Sequence, residues 1–181
     1  VRTESGNGGG NGNTYQLPEK PLYADQGLEI PHGIQGYFDY DQALRVAKSV
    51  NKPVFLDFTG HGCTNCRRVE AAVWVDPQVR KVFANDVIVT TLYADDKVVK
   101  LPASESGKIK DAEGEPITTL GAKNRWIENT IYKENSQPCY FIVDTDGSVL
   151  AGPVYYELNV DNYLKFLHQG IDAYKAKHQN Q

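Results

Sequence analysis

Apolar positions along this chain change period several times, and each change marks an element. Tyr40, Ala43, Leu44, Ala47 and Val50 recur at steps of three and four, the spacing of one helical face. Asp39 stands at the N-cap position, and Gln42, three residues on, completes a box-like pattern. Pro53 stops that helix, and Val54 to Phe58 follows as a short apolar run of strand type. From Cys63 to Val75 no Pro or Gly interrupts the chain, and Val69, Ala72 and Val73 predict a buried helical stripe. Asp76-Pro77 opens another helix by a cap followed by a proline, with Val79, Val82 and Phe83 facing inward. Val87 to Tyr93 reads as a second buried strand. Residues 121–132 allow a helix around Trp126, Ile127 and Ile131. Tyr140 to Val143 is a strand, residues 144–147 a turn, and Ser148 to Ala151 the returning hairpin partner. A last helix covers about 160–174, with Tyr163, Leu164, Leu167, Ile171 and Tyr174 on one face.

Strands alternating with helices predict an α/β layer structure, and the terminal hairpin adds an antiparallel edge. The pattern is silent over the first 36 residues. Residues 1–14 are Gly- and Asn-rich and read as a flexible linker, and 15–36, with three prolines, as an extended arm. Residues 37–181 then form one domain, interrupted by a polar stretch at about 95–120 that reads as an insertion.

Composition narrows the function classes. The 181 residues are 40% hydrophobic and 23% charged, as in an ordinary globular protein. A net charge of −4 provides no basic field for nucleic acid or anionic lipid. No apolar run approaches the roughly 18 residues of a spanning helix. The chain begins at Val1, holds no Met and shows no apolar leader, which reads as a processed product or a piece of something longer. Three cysteines are too few for a disulfide scaffold.

Two of the three stand as Cys63-Thr64-Asn65-Cys66, after a strand and the loop Gly60-His61-Gly62. A helix starting at Cys63 places that sulfur among unpaired backbone N–H groups, which stabilise a thiolate. Cys66 lies one turn on, within disulfide reach, so the first sulfur can attack a substrate disulfide and the second resolve the mixed disulfide. A competing reading gathers Cys63, Cys66, Cys139 and His61 as a structural zinc set, although no second C-x-x-C or His pair stands at ligand spacing. A non-catalytic interaction module is a further alternative.

Residues 56–74 (LDFTGHGCTNCRRVEAAVW), Asp76 to Val79, the LYADD segment at 92–96 and Gln137-Pro138 before a strand resemble the thioredoxin superfamily, above all the C-terminal periplasmic domain of DsbD-type thiol:disulfide interchange proteins. The resemblance runs from about Gly36 to Tyr174. It implies a thioredoxin-like fold, a central mixed sheet with helices on both faces. It implies Cys63 as nucleophile, Cys66 as resolving thiol and Asp57 as the buried acid that moves the proton of Cys66. Pro138, by resemblance, is the cis proline beside the redox pair. Gln137, with Gly62, Thr64 and Asn65, would then meet an extended substrate segment. The chain departs from thioredoxin itself in having Gly62 where a tryptophan precedes the first cysteine, and no proline between the cysteines. His61, Arg67 and Arg68 are possible tuners of the thiolate or simply solvated residues. Cys139 is either an auxiliary thiol or a small buried hydrophobe.

The resemblance further implies a protein-disulfide reductase needing no cofactor, since the cysteines carry the electrons, and no metal. Its partners would be protein thiols and disulfides and a membrane-embedded electron-donor domain of the same full-length protein. The acceptors would be extracytoplasmic, such as a disulfide isomerase or a cytochrome-maturation protein. The compartment would be the periplasm, at the inner membrane.

Overall fold

Four runs rich in β-branched and aromatic residues pair into a single sheet. Strand β1 is Val54–Thr59, β2 Ile88–Tyr93, β3 Cys139–Val143 and β4 Val149–Val154. Their order is β2-β1-β3-β4, with β1 parallel to β2 and antiparallel to β3, and β3 antiparallel to β4. These elements come from a computed structural model that describes residues 17–179, so the linker reading of 1–14 lies outside the described residues.

Helices cover both faces, which is why every residue of β1 and β2 is buried and both strands read as nearly unbroken apolar runs. On one face, Phe55, Val89, Tyr140 and Ile142 pack against helix α2 (Thr64–Ala72), α3 (Pro77–Asn85) and α5 (Val160–His178). On the other, Val54, Leu56, Phe58 and Phe141 pack against α1 (Tyr40–Val50) and the region of α4 (Leu120–Trp126), which continues as a wider π-turn over Ile127–Ile131. The period-2 alternation of a strand assigns each residue to its layer. Asp57 thereby shares the face of Phe55, under α2.

Several boundaries differ from the sequence reading. Helix α2 ends at Ala72, which is exposed; Val73 and Trp74 are buried in the turn beyond it. The last helix runs on to His178, whose ring stacks on Tyr174 at 4.2 Å. Asp39 caps α1 by accepting from the Gln42 N–H at 2.9 Å, but the Gln42 side chain does not close a box. It donates to Glu19 and to the Lys20 carbonyl and accepts from Leu22 N–H, fixing the segment before α1. Tyr37 pins the same segment by donating its hydroxyl to the Glu19 carbonyl at 3.0 Å, while its backbone pairs along the outer edge of β2. Gly36 permits that approach, since a Cβ there would sit 2.6 Å from the Val89 carbonyl oxygen.

The polar stretch after β2 closes on itself at its base. Leu120 N–H donates to Val99 and Leu101 N–H to Thr118, and Val99, Leu101, Ile117 and Leu120 form a small apolar cluster with Tyr93. Lys123 of α4 is buried and its Nζ meets Asp39, Asp41 and Glu105 at 2.8, 2.9 and 2.7 Å. These three carboxylates stand close enough together to suggest a cation site, and the Lys123 ammonium is their counter-charge. Truncating it strands a buried Asp39 carboxylate. Lys123→Ala is therefore expected to cost about 3 kcal/mol in urea unfolding, and a loss below about 1 kcal/mol would show the cluster to be solvent-screened.

Candidate active site

The chain leaves β1 at Thr59 and makes a tight loop before α2. Asp95, just past the end of β2, organises it: its two carboxylate oxygens accept the His61 N–H at 2.8 Å and the Gly62 N–H at 3.1 Å. Against the effect of partial burial, these two amides hold the Asp95 carboxyl below its usual range. Gly60 leaves room for the approach, because a Cβ would lie 3.0 Å from Asp95 Oδ2 and crowd it. His61 Nε2 pairs with Asp96 Oδ2 at 2.7 Å and its ring stacks on Tyr93 at 4.2 Å, so the imidazole is engaged by the acidic pair that holds the loop. Asp96 also accepts the Val98 and Val99 amides.

Cys63 is the N-cap of α2 and Cys66 lies one turn in. Cys63 Sγ accepts the Cys66 N–H at 3.1 Å, and the two sulfurs form a disulfide with the Cα atoms 5.3 Å apart. Cys63 is half-buried and Cys66 fully buried, so only the first sulfur is open to a partner. Around Cys63 runs a shallow groove lined by Gly62, Thr64, Asn65, Asp95 and Gln137.

Asp57 is fully buried in β1, opposite Thr91 of β2 and Tyr140 of β3. Thr91 Oγ1–H donates to Asp57 Oδ2 at 3.1 Å, while Oδ1 has no hydrogen-bond partner. Burial pushes this carboxyl well above its ordinary value, and repulsion from Glu70 adds to the shift; Thr91 and Arg67 only partly oppose it. Glu70, also buried, is four residues beyond Cys66 on α2. Its Oε1 pairs with Arg67 Nε at 3.0 Å, and Arg67 Nη2 reaches Thr59 Oγ1 at 2.8 Å. Burial raises the Glu70 carboxyl in spite of Arg67. Two acids that both resist ionisation therefore sit in the layer under α2. Arg68 is exposed.

Pro138 is buried, follows a cis Gln137–Pro138 bond, and immediately precedes β3, whose first residue Cys139 pairs with Phe58 near the end of β1. The Gly152–Pro153 bond is cis as well. Gln137 is half-buried in the groove beside Cys63, and its Nε2–H donates to Glu128 Oε1 at 2.6 Å. Cys139 packs with Leu56 and Phe58 on the opposite sheet face from Asp57 and Tyr140, fully buried. Burial raises its thiol far above the ordinary range, so it is held neutral.

Residues 34–118 match the family model described as thioredoxin-like. That segment is similar to thioredoxin-like domains. Over 70 residues it is 31% identical to the thiol:disulfide interchange protein DsbD of Ralstonia nicotianae, a match covering 36% of this chain and 12% of that protein. Among solved structures it is similar to a DsbH oxidoreductase, at 17% identity and a TM-score of 0.53 over 80% of this chain and 91% of that one. A thioredoxin from Thermus thermophilus matches at 16% identity and a TM-score of 0.53 over 82% of this chain and 99% of that one. At these identities the two structures speak for the fold, a mixed sheet with helices on both faces.

Four acids of this thioredoxin-like fold escape a reading of the sequence as motifs. Asp95 and Asp96 belong to the LYADD segment, but nothing in the sequence says that their carboxylates hold the loop before Cys63. Glu70 and Glu128 look like polar positions on solvated helix faces. For Glu70 a signal was present: Cys66, Val69, Glu70 and Val73 follow the three- and four-residue spacing of the inward face, and Glu70 is the polar member of that stripe. Glu128 offers no such cue, because the π-turn shifts its phase relative to α4.

Proposed function

We propose that this chain is a thiol–disulfide oxidoreductase domain acting on protein disulfides. The observation that carries the reading is the asymmetric pair: a half-open Cys63 sulfur at a helix N-terminus, a buried Cys66, and a buried acid of raised pKa beneath the same helix. In the dithiol form the Cys63 thiolate attacks one sulfur of a substrate disulfide and the other substrate sulfur leaves with a proton. Cys66, having given up its proton, attacks Cys63 Sγ, restores the internal disulfide and releases the second substrate thiol. Two electrons and two protons pass to the substrate. Asp57 is the acid–base group of this cycle: a carboxyl that burial raises well above its ordinary value is a better proton acceptor, and can take the proton Cys66 must lose. Pro138 and Gln137 shape the groove that an extended substrate crosses.

The DsbD likeness supports a finer reading, in which the domain is recharged by a membrane-embedded partner domain and serves periplasmic acceptors, disulfide isomerases or cytochrome-maturation proteins among them. No helix among the described residues is long and apolar enough to cross a membrane. The decisive measurement is the reduction potential of the Cys63–Cys66 couple, by equilibration in a dithiothreitol or glutathione series with thiol trapping. A value near that of thioredoxin, about −270 mV, is expected for a reductant. One near −120 mV would reverse the direction of electron flow, and the absence of any two-electron couple would end the oxidoreductase reading.

A further inference from the structure

Glu128 is a buried carboxylate that the exchange cycle does not use. It sits in the π-turn Ile127–Ile131, an irregular winding of the kind that aims single side chains at functional sites. Two contacts tie it across the connection that leads to the groove. Its carbonyl accepts the Glu134 N–H at 3.0 Å, and its side chain accepts the Gln137 amide at 2.6 Å. The residue so gripped is the one that both precedes Pro138 and lines the groove beside Cys63. An unanchored glutamine there would have a mobile polar amide over the surface that a substrate segment must cover, and each bound substrate would have to order it. Because the anchor holds the groove through Gln137, it can set how the groove accepts a chain without itself forming or breaking a bond to sulfur.

We propose that Glu128 is a positioning residue that fixes Gln137 for the docking of extended polypeptide segments, and so favours protein disulfides over small-molecule disulfides. The inference rests on the oxidoreductase reading and gives it a specificity element. A charge-assisted bond is the strong kind, and removing its acceptor leaves the Gln137 amide unpaired. The groups that face Glu128 are Gln137 and Cys139 on the sheet side, Arg125 on α4 and Glu134 in the connection. Burial lifts its carboxyl to about 7, with Glu134 adding to the shift and Gln137, the Ser136 backbone and Arg125 opposing it. The anchor is charged above that pH and weakens below it.

The test compares kcat/KM for insulin with kcat/KM for 5,5′-dithiobis(2-nitrobenzoic acid), and the readout is their ratio. Glu128→Leu is expected to lower the ratio about tenfold, the scale of one charged hydrogen bond. Glu128→Gln, which keeps an acceptor, should recover most of it and abolish the fall in the ratio expected of the wild type as pH drops through about 7. Gln137→Ala at the half-buried end of the contact should lower the ratio similarly, and the double variant no further than either single one. Equal loss on both substrates, or additive losses in the double variant, would overturn the proposal and leave the oxidoreductase reading intact. A wild-type protein that turns over neither substrate would overturn both.

Discussion

Cys63→Ser is expected to lose protein-disulfide reduction by at least about a thousandfold, the scale on which removing an attacking group acts. Cys66→Ser is expected to fail differently. Cys63 is half-open and Cys66 is shielded, so the first step survives in the Cys66 variant and the second does not. A covalent adduct between Cys63 and the substrate should accumulate and be visible by mass spectrometry before and after reduction. Cys139 does not rescue either variant, because its thiol lies on the other face of the sheet and burial keeps it protonated. An adduct found on Cys66 in the Cys63→Ser protein would reverse the assignment of nucleophile and resolving thiol.

Asp57→Asn should separate stability from turnover. Buried beside Glu70 with one oxygen lacking a partner, the Asp57 carboxyl is strained by ionisation, and its folded pKa stands well above the unfolded value of about 3.9. The folded protein therefore holds this proton over a pH range in which the unfolded chain has released it. The stabilisation that the neutral carboxyl gives is complete below the unfolded pKa and declines as pH rises through the folded one. Asparagine never ionises, so the variant should overtake the wild type progressively toward alkaline pH. The expected gain there is on the order of 2 kcal/mol, by analogy with other relieved buried charges, or about 4–8 °C in Tm. Turnover should fall about a hundredfold at the same time, as when a general acid–base is removed. Thermal unfolding and insulin reduction across pH 5–9 on one preparation check both halves. A variant that gains no stability at high pH would mean that Asp57 is already ionised at little cost in the fold.

The outline of the fold was legible because each strand and helix announces itself by a period that burial enforces. β1 and β2 are buried throughout and largely apolar because helices cover both of their faces. The Cys63–Cys66 frame was legible for the same reason: strand, glycine loop and helix are local features. What stayed hidden depends on contacts between distant segments. Ala72 falls on the expected stripe, but α2 ends beneath it and Trp74 fills the space instead. Gln42 has the spacing of a capping box, yet its amide is claimed by residues 19–22, some 20 positions earlier. The role of Glu128 depends on a change of helical winding that no periodicity reports. His61 reads as a candidate tuner of the thiolate from its distance in sequence to Cys63, whereas Asp96, 35 residues away, determines where its ring is held.

That same Asp96 carboxylate receives both the His61 ring and the Val98 and Val99 amides at the neck of the polar excursion. Gly121, at the far side of the neck, approaches the Asp96 backbone so closely that any side chain there would collide with it. The neck is thus rigid at both ends, and lengthening what lies beyond it costs little: each doubling of a flexible loop adds only about 0.6 kcal/mol. Changes of length and charge in 102–116 should therefore leave the loop before Cys63 undisturbed, provided that Glu105 keeps its pairing with Lys123.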